Sequence, residues 1–373
     1  MSGETRPMGE PMQRDGNQAD ATAAAGVATA ASGQAATAGR TDDSVTVGSV
    51  LTETKAPAKI VAGRSPGQIA WLRLKRDKAG MVSLYVLVVL VVLSLLAPLI
   101  SKFYGDGPSD GHSELLDLQG IPLGYIGGVS GDHWLGVMPQ RGQDLMMQLI
   151  FGMRTSLGIA LVASIISLTI GVVIGITAGY ARGWLDKFLT WLIDVWLSFP
   201  FFLFALAIVP VLIVNLQDEV GRVALWKKLF VIMSVFFLFG WTYPARIVRG
   251  QVISMREREY VEAAKAAGAG LGHILFKQLL PNLWAPILVA FSLAVPTTIS
   301  AEAALAIFGV GIKPSDDVAD LGQLVNFGVG YMSNAHLAPL TVYLPGTLVF
   351  VLVLCFNLFG DALRDALDPR SLR

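Results

Sequence analysis

The stretch Glu259-Tyr260-Val261-Glu262-Ala263-Ala264-Lys265-Ala266-Ala267-Gly268-Ala269-Gly270, running on to Leu280-Pro281-Asn282, is charged and alanine-rich and lies between two long apolar blocks. Ala, Glu, Lys and Arg favour helix, Gly268 and Gly270 interrupt it, and Pro281 forbids the continuation of a helix that reaches it. The segment therefore reads as a helix, a turn, a second short helix over about Leu271 to Leu280, and a stop. Held outside a bilayer by a membrane helix on either side, such an amphipathic helix-turn-helix is placed to dock on a soluble partner.

The flanking blocks set the class. Of 373 residues, 53% are hydrophobic and 15% charged, against roughly 25% charged in soluble domains. Six segments reach the roughly 20 apolar residues that cross about 30 Å of hydrocarbon. They are Met81 to Ile100, Ser156 to Tyr180, Leu189 to Val214, Leu229 to Arg246, Trp284 to Phe308 and Leu340 to Phe359. The first, second and sixth have no polar face, which excludes a soluble helical protein. The expectation is an all-α membrane protein: six transmembrane helices, with the helix-turn-helix between the fourth and fifth.

Residues 1–63 are a different regime, rich in Ala, Thr, Gly, Ser and Gln. They offer little apolar surface to offset ordering and are expected to be disordered. No basic-then-apolar signal peptide opens the chain. With the N-terminus inside, the inner segments carry sixteen Lys and Arg, among them Arg73, Lys75, Arg76, Arg249, Arg258 and Lys265, and the outer loops seven. An excess of basic residues marks the cytoplasmic side. Both termini and the Glu262 loop are thus expected in the cytoplasm. The organisation read from this is a cytoplasmic tail (1–63), a first transmembrane helix with an external loop (64–150), and a helical core (151–373) holding the loop at 256–282.

Two acids fall within spans. Asp194 lies near the inner end of the third, where it can reach the interface. Glu302 lies deeper, and an ionised carboxylate at mid-membrane costs about 2.5–3.5 kcal/mol on insertion scales, so it should face protein or a watery cavity. Both are candidates for the translocation path or its gate. Gly171, Gly175 and Gly179 recur on one helix face and allow a neighbouring helix to approach closely. Pro200, Pro210, Pro244, Pro286, Pro296 and Pro345 interrupt the helical ladder.

Other chemistry is missing. Net charge is zero, so nothing suggests nucleic acid. His112, His133, His273 and His336 are scattered without ligand spacing, and Cys355 stands alone in an apolar run, so no metal site, cofactor or disulfide is expected. The stretch from Gly309 to Pro339, with Asp316, Asp317 and Asp320, reads as a loop. No Gly-x-x-x-x-Gly-Lys-Ser/Thr, His-Glu-x-x-His or Gly-x-Ser-x-Gly occurs. If transport here is driven by ATP, the ATPase is another chain.

Glu262-Ala263-Ala264, Gly268 and Leu280-Pro281 resemble the EAA loop of ATP-binding-cassette (ABC) importer permeases, with Gln278 where Ile is usual. Further blocks resemble the second permease of oligopeptide and dipeptide importers: Trp71 to Lys78, Ile150 to Leu157, Ala178-Gly179-Tyr180, Ser198-Phe199-Pro200, Arg246 to Gln251, and Gly360 to Pro369. The likeness covers roughly residues 70 to 370. It departs at Leu135-Gly136-Val137-Met138, at Gly142-Gln143-Asp144 and at Gly311 to Asp317, all read as external. The resemblance implies that Glu262, Ala263, Ala264, Gly268, Leu280 and Pro281 receive a cytoplasmic ATPase. It further implies a second permease, two ATPases that hold ATP and Mg, an external solute-binding protein, and a bacterial cytoplasmic (inner) membrane. It implies no enzyme activity on this chain. Peptides are the favoured cargo; nickel and glycosides use similar permeases. The alternative class, an ion-driven secondary transporter, should show inverted repeats, and none is evident.

Overall fold

The computed structural model describes residues 66–219, 221–313 and 318–368. The 1–63 tail lies outside them, as do Arg64, Asp316, Asp317, Arg370 and Arg373. Among the described residues the chain is helical, with isolated backbone bridges and no strand.

A short helix, α1 (Pro66–Leu74), precedes α2 (Lys78–Leu95), which starts where the Asp77 carboxylate accepts from the Gly80 amide at 3.0 Å. That bond takes up one of the four amide donors a helix start leaves free. The expected span from Met81 to Ile100 is cut short at Leu96. Pro98 then sits in the first turn of α3 (Ala97–Tyr104), where its missing N–H breaks no bond. α4 (Leu145–Tyr180) is 36 residues long, roughly 54 Å at the helical rise. It begins well before the expected Ser156 and crosses the 150/151 boundary. Asp144 caps it, accepting from the Met147 amide at 2.9 Å. Leu145, Leu149, Met153 and Leu157 are buried at every fourth position, so the helical period extends into what read as loop.

The expected third span is two helices, α5 (Trp184–Ser198) and α6 (Phe201–Asn215), bent 77° apart. Pro200 cannot donate the bond that would join them, and it pushes Phe199 into an extended conformation, φ −73° and ψ 130°. α7 (Leu225–Gly240) and α8 (Thr242–Met255) follow one another as the fourth span, longer at both ends than Leu229 to Arg246. Next comes α9 (Glu259–Ala266), then a turn at Gly268 with φ +80°, a conformation that favours glycine. Its second limb starts with α10 (Leu271–His273), passes through a π turn (Ile274–Leu279) and a 3-10 turn (Leu280–Leu283), and enters α11 (Trp284–Ile307). The stop expected at Pro281 does not occur. The residue falls in the first turn of the 3-10 segment, a position proline tolerates, and the rod from Leu271 to Ile307 is continuous over 37 residues.

The stretch read as loop after α11 contains α12 (Leu321–Gly330), before α13 (Pro339–Leu367) closes the bundle. Gly322 and Gly328 of α12 serve close packing: a Cβ on Gly322 would meet Ala303 Cα at 2.8 Å. Among the described residues five helices are long and apolar enough to cross a membrane, six if α5 and α6 count as one broken span.

α4 runs between α7, α8, α11 and α12. Its Gly171, Gly175 and Gly179 face α8, where added Cβ atoms would lie 2.6 Å from the Trp241 carbonyl, 2.6 Å from the Ala245 carbonyl and 2.7 Å from Val252. The glycine stripe is therefore a helix-packing seam. At one end of α4, Met138, Leu145, Met153, Leu321 and Leu324 form a fully buried core. At the other, Val172 and Ile176 join the helix-turn-helix.

Candidate functional site

The helix-turn-helix is a hook anchored from beneath. Val261, the one buried residue of α9, packs with Ile274, Leu279 and Leu283 of the second limb and with Val248 and Val252 of α8. Each such side chain contributes about 1.5–3 kcal/mol when fully buried. Two contacts absent from the sequence reading fix the hook to the end of α4. Arg256 Nη1 donates to the Gly179 carbonyl at 3.0 Å and to the Ala181 carbonyl at 3.3 Å, satisfying acceptors that the helix end leaves open. Lys265 Nζ lies 5.4 Å above the Tyr180 ring.

With its underside anchored, the hook presents the predicted residues outward. Glu262, Ala263, Gly268 and Pro281 are exposed; Ala264 and Leu280 are half-buried. Glu259 and Glu262 lie in the first turn of α9, where negative charge suits the helix dipole. Leu271 and Phe276 on the second limb are 61% and 56% exposed. Exposed large apolar side chains beside acids are the composition of a protein-docking surface.

Within the bundle a cavity of about 590 Å³ lies between the α5–α6 bend and α11, lined mainly by aromatic and aliphatic groups such as Trp196, Phe201, Phe239 and Leu293. Ser164, Ser167, Thr242, Thr297, Thr298 and Asn357 are among its polar positions. Neither acid singled out from the sequence lies on this lining. Asp194 accepts from Arg246 Nη2 at 2.5 Å, and both side chains are more than half exposed, so the pair joins α5 to α8 at the surface. Glu302 is 3% exposed, with Ser156 and Asp320 as its polar neighbours, and its Oε1 has no hydrogen-bond partner. Asp320 is itself fully buried, accepting from the Ile312 and Gln323 amides at 2.5 and 2.6 Å. A buried cap was not legible in a segment read as loop.

At the far end of α4, the segment 105–144 brings His112 and His133, which looked scattered, to 4.6 Å between ring centroids. Tyr104 donates to Asp144 Oδ2 at 3.0 Å. Burial, opposed by the Trp134 amide and aided by the Asp144 carboxylate, pushes its phenol up to about 12, so the donor stays protonated at neutral pH.

The described residues thus form a bundle of membrane-length helices with a half-open cavity among them and an anchored hook beyond their ends. Residues 171–373 match the family of binding-protein-dependent transport system inner membrane components, and the chain belongs to that family. Residues 65–116 match the N-terminal transmembrane domain of oligopeptide transport permease C. The chain is 33% identical to the dipeptide transport system permease protein DppC of Alkalihalophilus pseudofirmus, over 82% of this chain and 90% of that one. It is 31% identical to the oligopeptide transport system permease protein OppC of Escherichia coli, over 83% and 93%. Among solved structures, a chain of the inward-facing MetNI methionine ABC transporter is similar over 60% of this chain and 98% of its own, with 20% identity and a TM-score of 0.47. The protein is an ABC importer permease subunit of a multi-pass membrane complex.

Proposed function

We propose that this subunit moves short peptides inward across a bacterial cytoplasmic membrane, pairing with a second permease. The names of its relatives, dipeptide and oligopeptide permeases, support the substrate class. A cavity of about 590 Å³ is of a size to hold a short peptide. Its aromatic and aliphatic walls suit varied side chains, and its few hydroxyl and amide groups can meet a peptide backbone. An external solute-binding protein delivers the substrate, and two cytoplasmic ATPases, which carry the ATP and Mg, dock on the Glu262 hook. The basic-residue asymmetry supports a cytoplasmic hook and cytoplasmic termini.

The observation that carries this reading is the hook itself, exposed above and anchored below. ATP favours one arrangement of the ATPases. A hook fixed to α4 and α8 passes that bias to the helices around the cavity, which is what alternating access requires. Glu302, buried between α4 and α12, is assigned to the gate at the opposite end. The test is purification of the native complex through a tag on this chain. An ATPase and a second permease should accompany it, and Glu262→Arg should release the ATPase while the permease pair survives. Recovery of this chain alone from gently solubilised membranes would sink the proposal.

A further inference from the structure

The segment that leads from α3 into α4 gathers five ionisable side chains from separate stretches of backbone. Asp106 follows α3, His112 and Glu114 flank the start of a 3-10 turn at Ser113–Leu115, and His133 and Asp144 come from the return toward α4. His112 Nε2 lies 3.0 Å from Asp106 Oδ1, and its Nδ1 lies 3.1 Å from Glu114 Oε1. His133 Nδ1 lies 2.9 Å from Asp144 Oδ2 and 3.4 Å from Asp106 Oδ2.

Hydrogen bonds between neutral groups do not satisfy this arrangement. A neutral imidazole has one N–H, yet both ring nitrogens of His112 face carboxylates and one nitrogen of His133 faces two. Asp106 and Asp144 have these histidines, rather than Arg or Lys, as their ion-pair partners. A single cation held between one carboxylate and two imidazole nitrogens removes the mismatch.

We propose that Asp106, His112 and His133 bind a divalent transition-metal ion of the zinc class, which staples the 105–144 segment onto the start of α4. Zinc bonds to imidazole nitrogen and carboxylate oxygen of about 2.0–2.2 Å place adjacent corners of a tetrahedron about 3.3–3.6 Å apart. His112 Nε2 is 3.0 Å from Asp106 Oδ1 and His133 Nδ1 is 3.4 Å from Asp106 Oδ2, and one ligand atom from each of the three residues lies within 4.8 Å of the others. A donor set of imidazole and carboxylate without thiolate selects zinc, cobalt, nickel or copper over calcium and magnesium.

The surroundings are those of a built site. Glu114 accepts from His112 Nδ1, which fixes the tautomer that turns the Nε2 lone pair toward the ion, as outer carboxylates do in histidine metal sites. Asp144 is held by the Met147 amide through Oδ1 and by the Tyr104 hydroxyl through Oδ2, which also lies 2.9 Å from His133 Nδ1. Backbone bonds fix the frame: the His112 amide donates to the Gly142 carbonyl at 3.0 Å, and Ser101 Oγ donates to the Asp106 carbonyl at 2.7 Å. His133 is buried and His112 and Asp106 partly exposed, so an ion can enter from solvent.

The test uses the full-length protein with a tag free of histidine, purified in detergent, stripped of metal and titrated with Zn²⁺ by calorimetry. Co²⁺ serves as the spectroscopic probe. One equivalent should bind, with the visible absorption of tetrahedral cobalt, and the segment 105–144 should become resistant to protease. His112→Ala with His133→Ala should abolish all three signals. Glu114→Gln changes an exposed residue and should leave the fold intact while weakening binding about 10-fold or more, which keeps the test decisive if the double variant fails to fold. No binding of either ion, or binding that both variants retain at full strength, overturns the site.

Discussion

The two ends of α4 solve opposite problems. At the Tyr180 end, the hook buries the apolar residues that anchor it and turns its acids outward, so Glu259 and Glu262 are exposed while Val261 is not. At the Asp144 end, the segment 105–144 does the reverse. Asp144 and His133 are buried, while Leu118 and Tyr125 lie on the surface. A surface that must receive a partner keeps its charge available. A cap that must hold its own shape spends its charge internally, because polar groups bonded in a water-poor setting specify one arrangement. The difference is the one expected between the proposed connector and a fixed closure.

The largest effect that would break this comparison is expected at Val261. Val261→Asp places a carboxylate in a dry apolar anchor at a cost of at least several kcal/mol. The hook should detach, ATP-driven uptake should fall more than 10-fold, and the amount of protein in the membrane should hold. Uptake at the parental rate would show that the hook does not need its anchor. At the other end, Asp144→Ala removes the α4 cap and strands Tyr104 and His133, a loss of about 1–3 kcal/mol. A lower apparent Tm in detergent is expected, whereas Glu262→Ala should leave Tm where it was. Equal shifts from the two would erase the distinction.

Two changes sharpen it. Glu302→Gln keeps the shape of a buried side chain and replaces its carboxyl group with an amide. If Glu302 supports the gate, uptake should fall several-fold with the hook and its ATPase still bound, and an unchanged transport rate and ATP coupling would end that assignment. Gly268 has φ +80° and nothing within 4 Å of an added Cβ. Gly268→Ala should therefore cost about 1 kcal/mol through backbone conformation alone. More ATP should be hydrolysed per substrate moved, and Gly268→Asn should be milder because Asn tolerates the left-handed region. The smallest effect belongs to Asp194→Asn, an exposed pair with Arg246 contributing at most about 1 kcal/mol. A change in Tm beyond that would mean that α5 leans on the pair more than its exposure suggests.

Much of this architecture is legible in the sequence because its signals are local. Charge-free apolar length gives the spans, and glycine and basic residues around Glu262 give the hook and its turn. What stayed hidden depends on neighbours far along the chain. α12 was masked by Gly322 and Gly328, whose small size answers to α11 and α13 rather than to a turn. The start of α4 was masked because Gln148 and Arg154 look like loop residues. Gln148 is fully buried and donates to the Pro108 carbonyl at 2.5 Å, a contact no spacing rule contains. Pro281 misled because proline stops a helix only where an amide bond would have been made. His112 and His133 are 21 positions apart, and only the folded segment between α3 and α4 sets them side by side.

The bend at Pro200 also bears on how the chain is made. Each of α5 and α6 has 15 residues, roughly 22 Å of helix, while the hydrocarbon layer is about 30 Å thick. Neither half can cross alone as it leaves the ribosome. Trp196 on α5 donates to the Leu238 carbonyl of α7 at 2.7 Å, and α6 packs on α7, so the helix that holds the pair is synthesised after it. A chain truncated before α7 should therefore leave α5 and α6 more open to protease than one that runs through Gly240.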